Sequence, residues 1–280
     1  MTPWRFHNFH RVDRYVFSHL FPQSRRYFST SPVDRLNSLG KGLAVCVSLG
    51  LLIYVSSSYR EQKLPENVKD ICTKAYEFRT SKKPLLAAQE YDKAVSYLKA
   101  TGSNPLFVLE SLFMSAECYE EAKRHQLAIS RYQEIVSLCS VLEKKFPSSG
   151  LDLNKNQLVV LKRHAFSLDA MSQIIFSSHH EKPNALAYSK QAISLINAYF
   201  GEQLNEVQQE KDGLKSVLDA DLLGNWAGIN FNYLLMKYDS KITIEELLLN
   251  SSTEIEDEDD QIIAQQGYKL MQLAAKLVSR

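Results

Sequence analysis

A chain of 280 residues with 45% hydrophobic content is long enough to bury one globular core and still carry appended segments. Lys and Arg number 33 against 32 Asp and Glu, which excludes a wholesale electrostatic attraction to nucleic acid. The four cysteines, Cys46, Cys72, Cys118 and Cys139, contain no CxxC pair, which excludes a zinc ribbon and a thioredoxin-type motif and leaves a Cys118–Cys139 disulfide open.

The charges are segregated. Residues 1–28 hold Arg5, Arg11, Arg14, Arg25 and Arg26 against Asp13 alone, so the remainder of the chain is slightly acidic. Aromatic and aliphatic side chains such as Trp4, Phe6, Phe9, Val12 and Leu20 are interleaved with the arginines. An amphipathic, acid-poor, Arg-rich start of this kind predicts a mitochondrial presequence over 1–28. Arg26 followed by Tyr27, Phe28 and Ser29 is similar to a matrix-peptidase cleavage site. Residues 29–41 then form a short matrix segment.

Residues 42–59 are 18 uncharged, mostly apolar positions, opened by Gly42 and closed by Tyr59. At 1.5 Å per residue such a helix reaches about 27 Å, enough for a bilayer core. A presequence followed by one stop-transfer helix predicts a single-pass protein of the mitochondrial inner membrane. Its N-terminus lies in the matrix, and residues 60–280 form a soluble domain in the intermembrane space.

That domain reads as helix after helix, with no strand alternation and no GxGxxG, P-loop or GxSxG motif. One grammar occurs in it twice. Ile71, Ala75, Phe78, Ala87, Tyr91 and Ala94 are matched by Leu112, Ala116, Tyr119, Ala128, Tyr132 and Ile135, with identical internal gaps. Gaps of three and four keep each triplet on one helical face, and the gap of nine holds the turn of a helical hairpin. Alanine recurs where two backbones approach closely, and an aromatic where the next layer needs a large plug. The pattern resembles the tetratricopeptide repeat, although Ile71 and Leu112 stand in place of its tryptophan. The copies lie 41 residues apart instead of that family's 34. A longer second helix in the first copy is the simplest account.

Beyond Pro147 a weaker third hairpin is expected, with Leu161, Ala165 and Leu168 on one helix and Ala185, Ala192 and Leu195 on the other. Tyr188 lies one place off the aromatic position, and Phe200-Gly201 reads as a helix end. A helix over 214–238 with Leu218, Leu222, Trp226 and Ile229 inward precedes a short one over 242–249. Residues 254–260, six acids in seven, read as a solvated loop before a last helix over 261–278. The fold class is all-α: a tetratricopeptide-like helical-hairpin array behind a single N-terminal transmembrane helix.

The sequence offers no reactive centre. His7, His10 and His19 fall in the presequence; His125, His164, His179 and His180 lack ligand spacing, with no HExxH. No enzyme, cofactor or metal site is expected, which leaves binding. The residues flanking the buried stripes, Cys72, Tyr76 and Arg79 in the first copy and Phe113, Glu117 and Glu120 in the second, would line a groove suited to an extended polypeptide. Cys72 and Tyr76 occupy positions where chaperone-docking members of the repeat family carry a lysine and asparagine clamp, so that activity is not expected.

Presequence, single span and repeat body in this order resemble the adaptor subunits of mitochondrial i-AAA proteases. The resemblance implies protein partners, namely the protease complex and unfolded client proteins delivered to it in quality control. The tetratricopeptide-repeat assembly factors of respiratory complex III share the layout and are the alternative.

Overall fold

The computed structural model describes residues 64–144, 154–179, 181–208, 220–238, 241–248 and 254–278. The expected presequence, matrix segment and membrane span at 42–59 lie outside these. Among the described residues no helix is long and apolar enough to cross a membrane.

The described residues form nine helices and no strand: α1 (Glu66–Thr80), α2 (Pro84–Ala100), α3 (Pro105–Glu121), α4 (His125–Glu143), α5 (Lys155–His179), α6 (Lys182–Gln208), α7 (Ala220–Tyr238), α8 (Ile244–Leu248) and α9 (Glu258–Val278). Each helix from α1 to α7 packs on the next, and α9 folds back onto α7. Short connections between packed neighbours make α1–α2, α3–α4 and α5–α6 hairpins.

The first two hairpins match down to their turns. Lys82 and Lys123, 41 residues apart, both adopt left-handed backbone with φ of 57°. After α1, the Lys82 N–H donates to the Arg79 carbonyl and the Lys83 N–H to that of Phe78. After α3, the Lys123 N–H donates to the Glu120 carbonyl and the Arg124 N–H to that of Tyr119. Each pair caps two carbonyls that the helix end leaves open. Pro84 and Pro105 start α2 and α3 where a missing N–H costs nothing, and Asn104 Oδ1 accepts from the Leu106 N–H at 2.9 Å.

Ala75, Ala87, Ala94, Ala116 and Ala128 are all fully buried, and Tyr91, Tyr119, Tyr132 and Ile135 fill the layers between them. Ile71 and Phe78 are half-buried against the same core. The 41 residues from Ile71 to Leu112 run through the rest of α1, the turn at 81–83, the 17 residues of α2, the turn at 101–104 and the start of α3, which begins two residues further ahead of Leu112 than α1 does of Ile71. Cys72, Cys118 and Cys139 are buried free thiols, so no Cys118–Cys139 bridge forms. Burial pushes the Cys72 thiol up to about 11 and that of Cys118 to about 12.

Two expected boundaries differ. Phe200-Gly201 does not end a helix: α6 continues to Gln208, because fully buried Phe200 anchors the turn and a mid-helix glycine costs only about 1 kcal/mol. The acidic run is not a loop throughout, since α9 already starts at Glu258. Asp257 Oδ1 accepts from the N–H groups of Asp259 and Asp260, and carboxylates at this end complement the helix dipole. Asp260 is buried, where it accepts from the Tyr238 hydroxyl and pairs with Lys237. In the third hairpin fully buried Ser189 occupies the aromatic position, and Tyr188 packs half-buried beside it.

Candidate functional site

The first helices of the hairpins share one face. Arg79 on α1 reaches across to α3, with Nη1 3.0 Å from Glu117 Oε2 and Nε donating to Glu121 Oε1 at 3.0 Å. α3 packs on α5 and α5 on α7. Arg163 on α5 makes a two-pronged pair with Glu110 on α3, Nε to Oε1 at 2.8 Å and Nη2 to Oε2 at 2.7 Å. Its guanidinium also lies 3.9 Å from the centre of the Phe113 ring. A fork-on-carboxylate contact stacked on an aromatic fixes both partners in direction as well as distance.

Of the expected groove residues, Arg79 and Glu117 therefore meet directly. Phe113 is buried between Arg163 and the edge of Tyr132, whose ring centre is 6.1 Å away. Glu120 is half-buried and accepts from the Tyr132 hydroxyl at 2.9 Å. Tyr76 is half-buried one turn before Arg79 on the same side of α1. The packing residues Ala75, Phe78, Ala87, Tyr91, Ala94, Ala116, Tyr119, Ala128, Tyr132 and Ile135 lie beneath this surface in the hairpin seams.

Deeper along the face sits a residue that the sequence did not single out. Asp169 on α5 is 8% exposed; its Oδ2 accepts from Asn232 Nδ2 on α7 at 2.9 Å and from Gln173 Nε2 at 2.6 Å. Asp169 Oδ1 and Asn232 Oδ1 have no hydrogen-bond partner. Burial pushes the Asp169 carboxyl up to about 6, against the pull of the Asn232 and Gln173 bonds. Burial also raises Glu120 to about 7; the Tyr132 bond opposes this, and the charges of Glu117, Asp169 and Glu121 add to it. The two cations of the face, Arg79 and Arg163, are each committed to other carboxylates. No Lys or Arg among the described residues pairs with Glu120 or Asp169.

A second polar centre ties the hairpins together from behind. Asp92 on α2 accepts from the Ser115 hydroxyl at 2.6 Å, the Tyr119 hydroxyl at 2.8 Å and Arg131 Nη2 at 3.0 Å. These bonds link α2 to both α3 and α4, so they set how one hairpin sits on the next. A cleft of about 310 Å³ lies on a different side of α3, over Val108 and Leu112, with Lys99 and Glu134 paired at its edge.

Arg163, Asp169 and Asn232 lie outside the two matched copies, and no alanine-aromatic spacing marks them. The available signal was a helical one: Arg163, Phe166, Ala170 and Gln173 form a half-exposed stripe that would continue the groove. Among the described residues no cluster of three His, Cys, Asp or Glu has the geometry to hold a metal ion. Comparison with known proteins gives no match to a family model, to a characterised protein or to a solved structure. The reading of this face rests on its own geometry.

Proposed function

We propose that this chain is a tetratricopeptide-like scaffold that holds polypeptide segments on the face of its first helices and acts as an inner-membrane adaptor for the i-AAA protease. The observation that carries the binding role is the continuity of that face. Half-buried Arg79 and Glu117, and Arg163 held by buried Glu110 and Phe113, run in series from α1 to α5, directed by ion pairs instead of being left to rotate freely. Preorganised side chains of this kind lower the ordering cost of holding an extended chain. The matched turns at Lys82 and Lys123 support a repeat origin for the array.

Anchoring through residues 42–59 would keep the scaffold in the same membrane as the protease, where one binding event raises the local concentration of a client for the next. The adaptor role rests on the resemblance in segment order. A pull-down of the full-length chain from gently solubilised mitochondria is expected to recover the AAA protease. Recovery of complex III subunits without the protease would replace delivery by assembly as the function. Resistance of residues 60–280 to added protease after outer-membrane rupture would overturn the intermembrane-space topology.

A further inference from the structure

Three features meet on the α3–α5–α7 part of the face, and the groove reading does not require any of them. The first is charge. The Asp169 charge adds to the burial that holds the Glu120 carboxyl up, and among the described residues no Lys or Arg pairs with either. The second is a surplus of acceptors. Asp169 Oδ1 and Asn232 Oδ1, on side chains 8% and 4% exposed, flank the hydrogen bond between the same two residues, and both lack a donor. Leaving a buried acceptor unpaired costs on the order of 1–3 kcal/mol, so two together call for a donor-rich group.

The third is space. α7 carries Gly224 and Gly228 within its length, and a Cβ built on either would meet nothing within 4 Å. Neither glycine is demanded by its backbone, since Gly102 is the glycine with positive φ among the described residues. Nor, among the described residues, does a packed neighbour demand them. A helix that gives up about 1 kcal/mol at each such position, with no contact to gain inside the protein, leaves room for another backbone. Gly228 lies one turn before Asn232, on the same side of α7.

We propose that the Glu120, Asp169 and Asn232 cluster, with the open side of α7 at Gly224 and Gly228, is a subsite for a lysine or arginine side chain of a bound polypeptide. The ammonium or guanidinium supplies N–H donors to the unpaired oxygens and the charge that the two carboxylates lack, while the peptide backbone passes over the glycines. Two carboxylates and an amide oxygen suit such a multi-donor cation. The proposal rests on the polypeptide-binding reading of the face and adds to it the class of side chain selected.

The test uses the full-length chain in mild detergent and two fluorescent peptides of serine and leucine, identical except for a central arginine or glutamine. The arginine peptide is expected to bind about tenfold more tightly. Asp169→Asn and Glu120→Gln should each shrink that preference, read as the ratio of the two peptides' affinities. The half-buried Glu120 variant carries the test alone if Asp169→Asn does not fold. Gly228→Leu should weaken both peptides without lowering the thermal midpoint, because a better helix former enters open space. Equal affinity for the two peptides would overturn the subsite and leave the groove standing. Binding of neither would overturn both. An arginine preference that survives both carboxylate substitutions in folded protein would place recognition elsewhere and overturn the assignment.

Discussion

The first two hairpins and the region from α5 to α7 solve the same packing problem differently. In α1 to α4 the seams are alanine against alanine with tyrosine plugs, and the polar groups that enter, Asp92, Ser115, Tyr119 and Arg131, satisfy one another. In α5, α6 and α7 the buried layer includes His164, Ser167, Asp169, Ser189, Asn230 and Asn232, each with a side-chain atom that lacks a partner, as does Trp226. Among the described residues no such orphan lies in the first four helices. Native interiors pair nearly all their polar groups, and departures concentrate where a protein gives up stability for function. The contrast separates a half whose buried polar groups satisfy one another from a half whose buried polar groups do not.

The contrast can be broken from the structural side first. Ala116→Trp forces a large ring into a fully buried seam between hairpins and should cost about 3 kcal/mol, read as a lowered urea midpoint. An unchanged midpoint would mean that α3 is not held where the alanine pattern places it.

The next effect has the opposite sign and depends on pH. Asp169 has its native pKa raised from 3.8 to about 6, so between those values the folded chain holds more protons than the unfolded one. The penalty of burying the charged form is therefore absent below about pH 4 and fully present above about pH 6. Asp169→Asn keeps an acceptor for Asn232 and Gln173 and offers an amide near the orphan Asn232 oxygen. It should stabilise by about 2–3 kcal/mol at pH 8 and little at pH 4, measured by urea unfolding at both. A loss of stability at pH 8 would show that the carboxylate is well solvated after all.

The smallest effect sharpens the equivalence of the first two hairpins. Lys82→Gly and Lys123→Gly each remove a side chain from left-handed backbone and should each stabilise by about 0.5–1 kcal/mol. The two gains should agree. A gain at one turn alone would show that the hairpins are alike in outline and not in mechanics.

Much of the array was legible because its determinants are local and periodic. Ala75, Ala87, Ala116 and Ala128 recur at fixed gaps, and each is a fully buried contact. The turns were legible at Pro84 and Pro105. Boundaries set by tertiary contacts were not: Gly201 reads as a stop until Phe200 is seen buried, and the acids at 257–260 read as solvated until Asp260 is seen beneath Lys237 and Tyr238. On the candidate face, Arg79, Glu117 and Glu120 were legible from helical phase. Asp169 and Asn232 were not, because a polar residue on a buried stripe has no periodic signature, and a separation of 63 positions in sequence hides their hydrogen bond.

The most direct test of the whole account is where a polypeptide touches the array. Photo-reactive side chains placed at Tyr76 and Phe166 on the first-helix face, and at exposed Gln133 on α4, can be compared in the full-length chain with the arginine peptide bound. Peptide adducts are expected from Tyr76 and Phe166 and none from Gln133. Labelling confined to Gln133, or equal at all three, would rule out a groove on the face of the first helices.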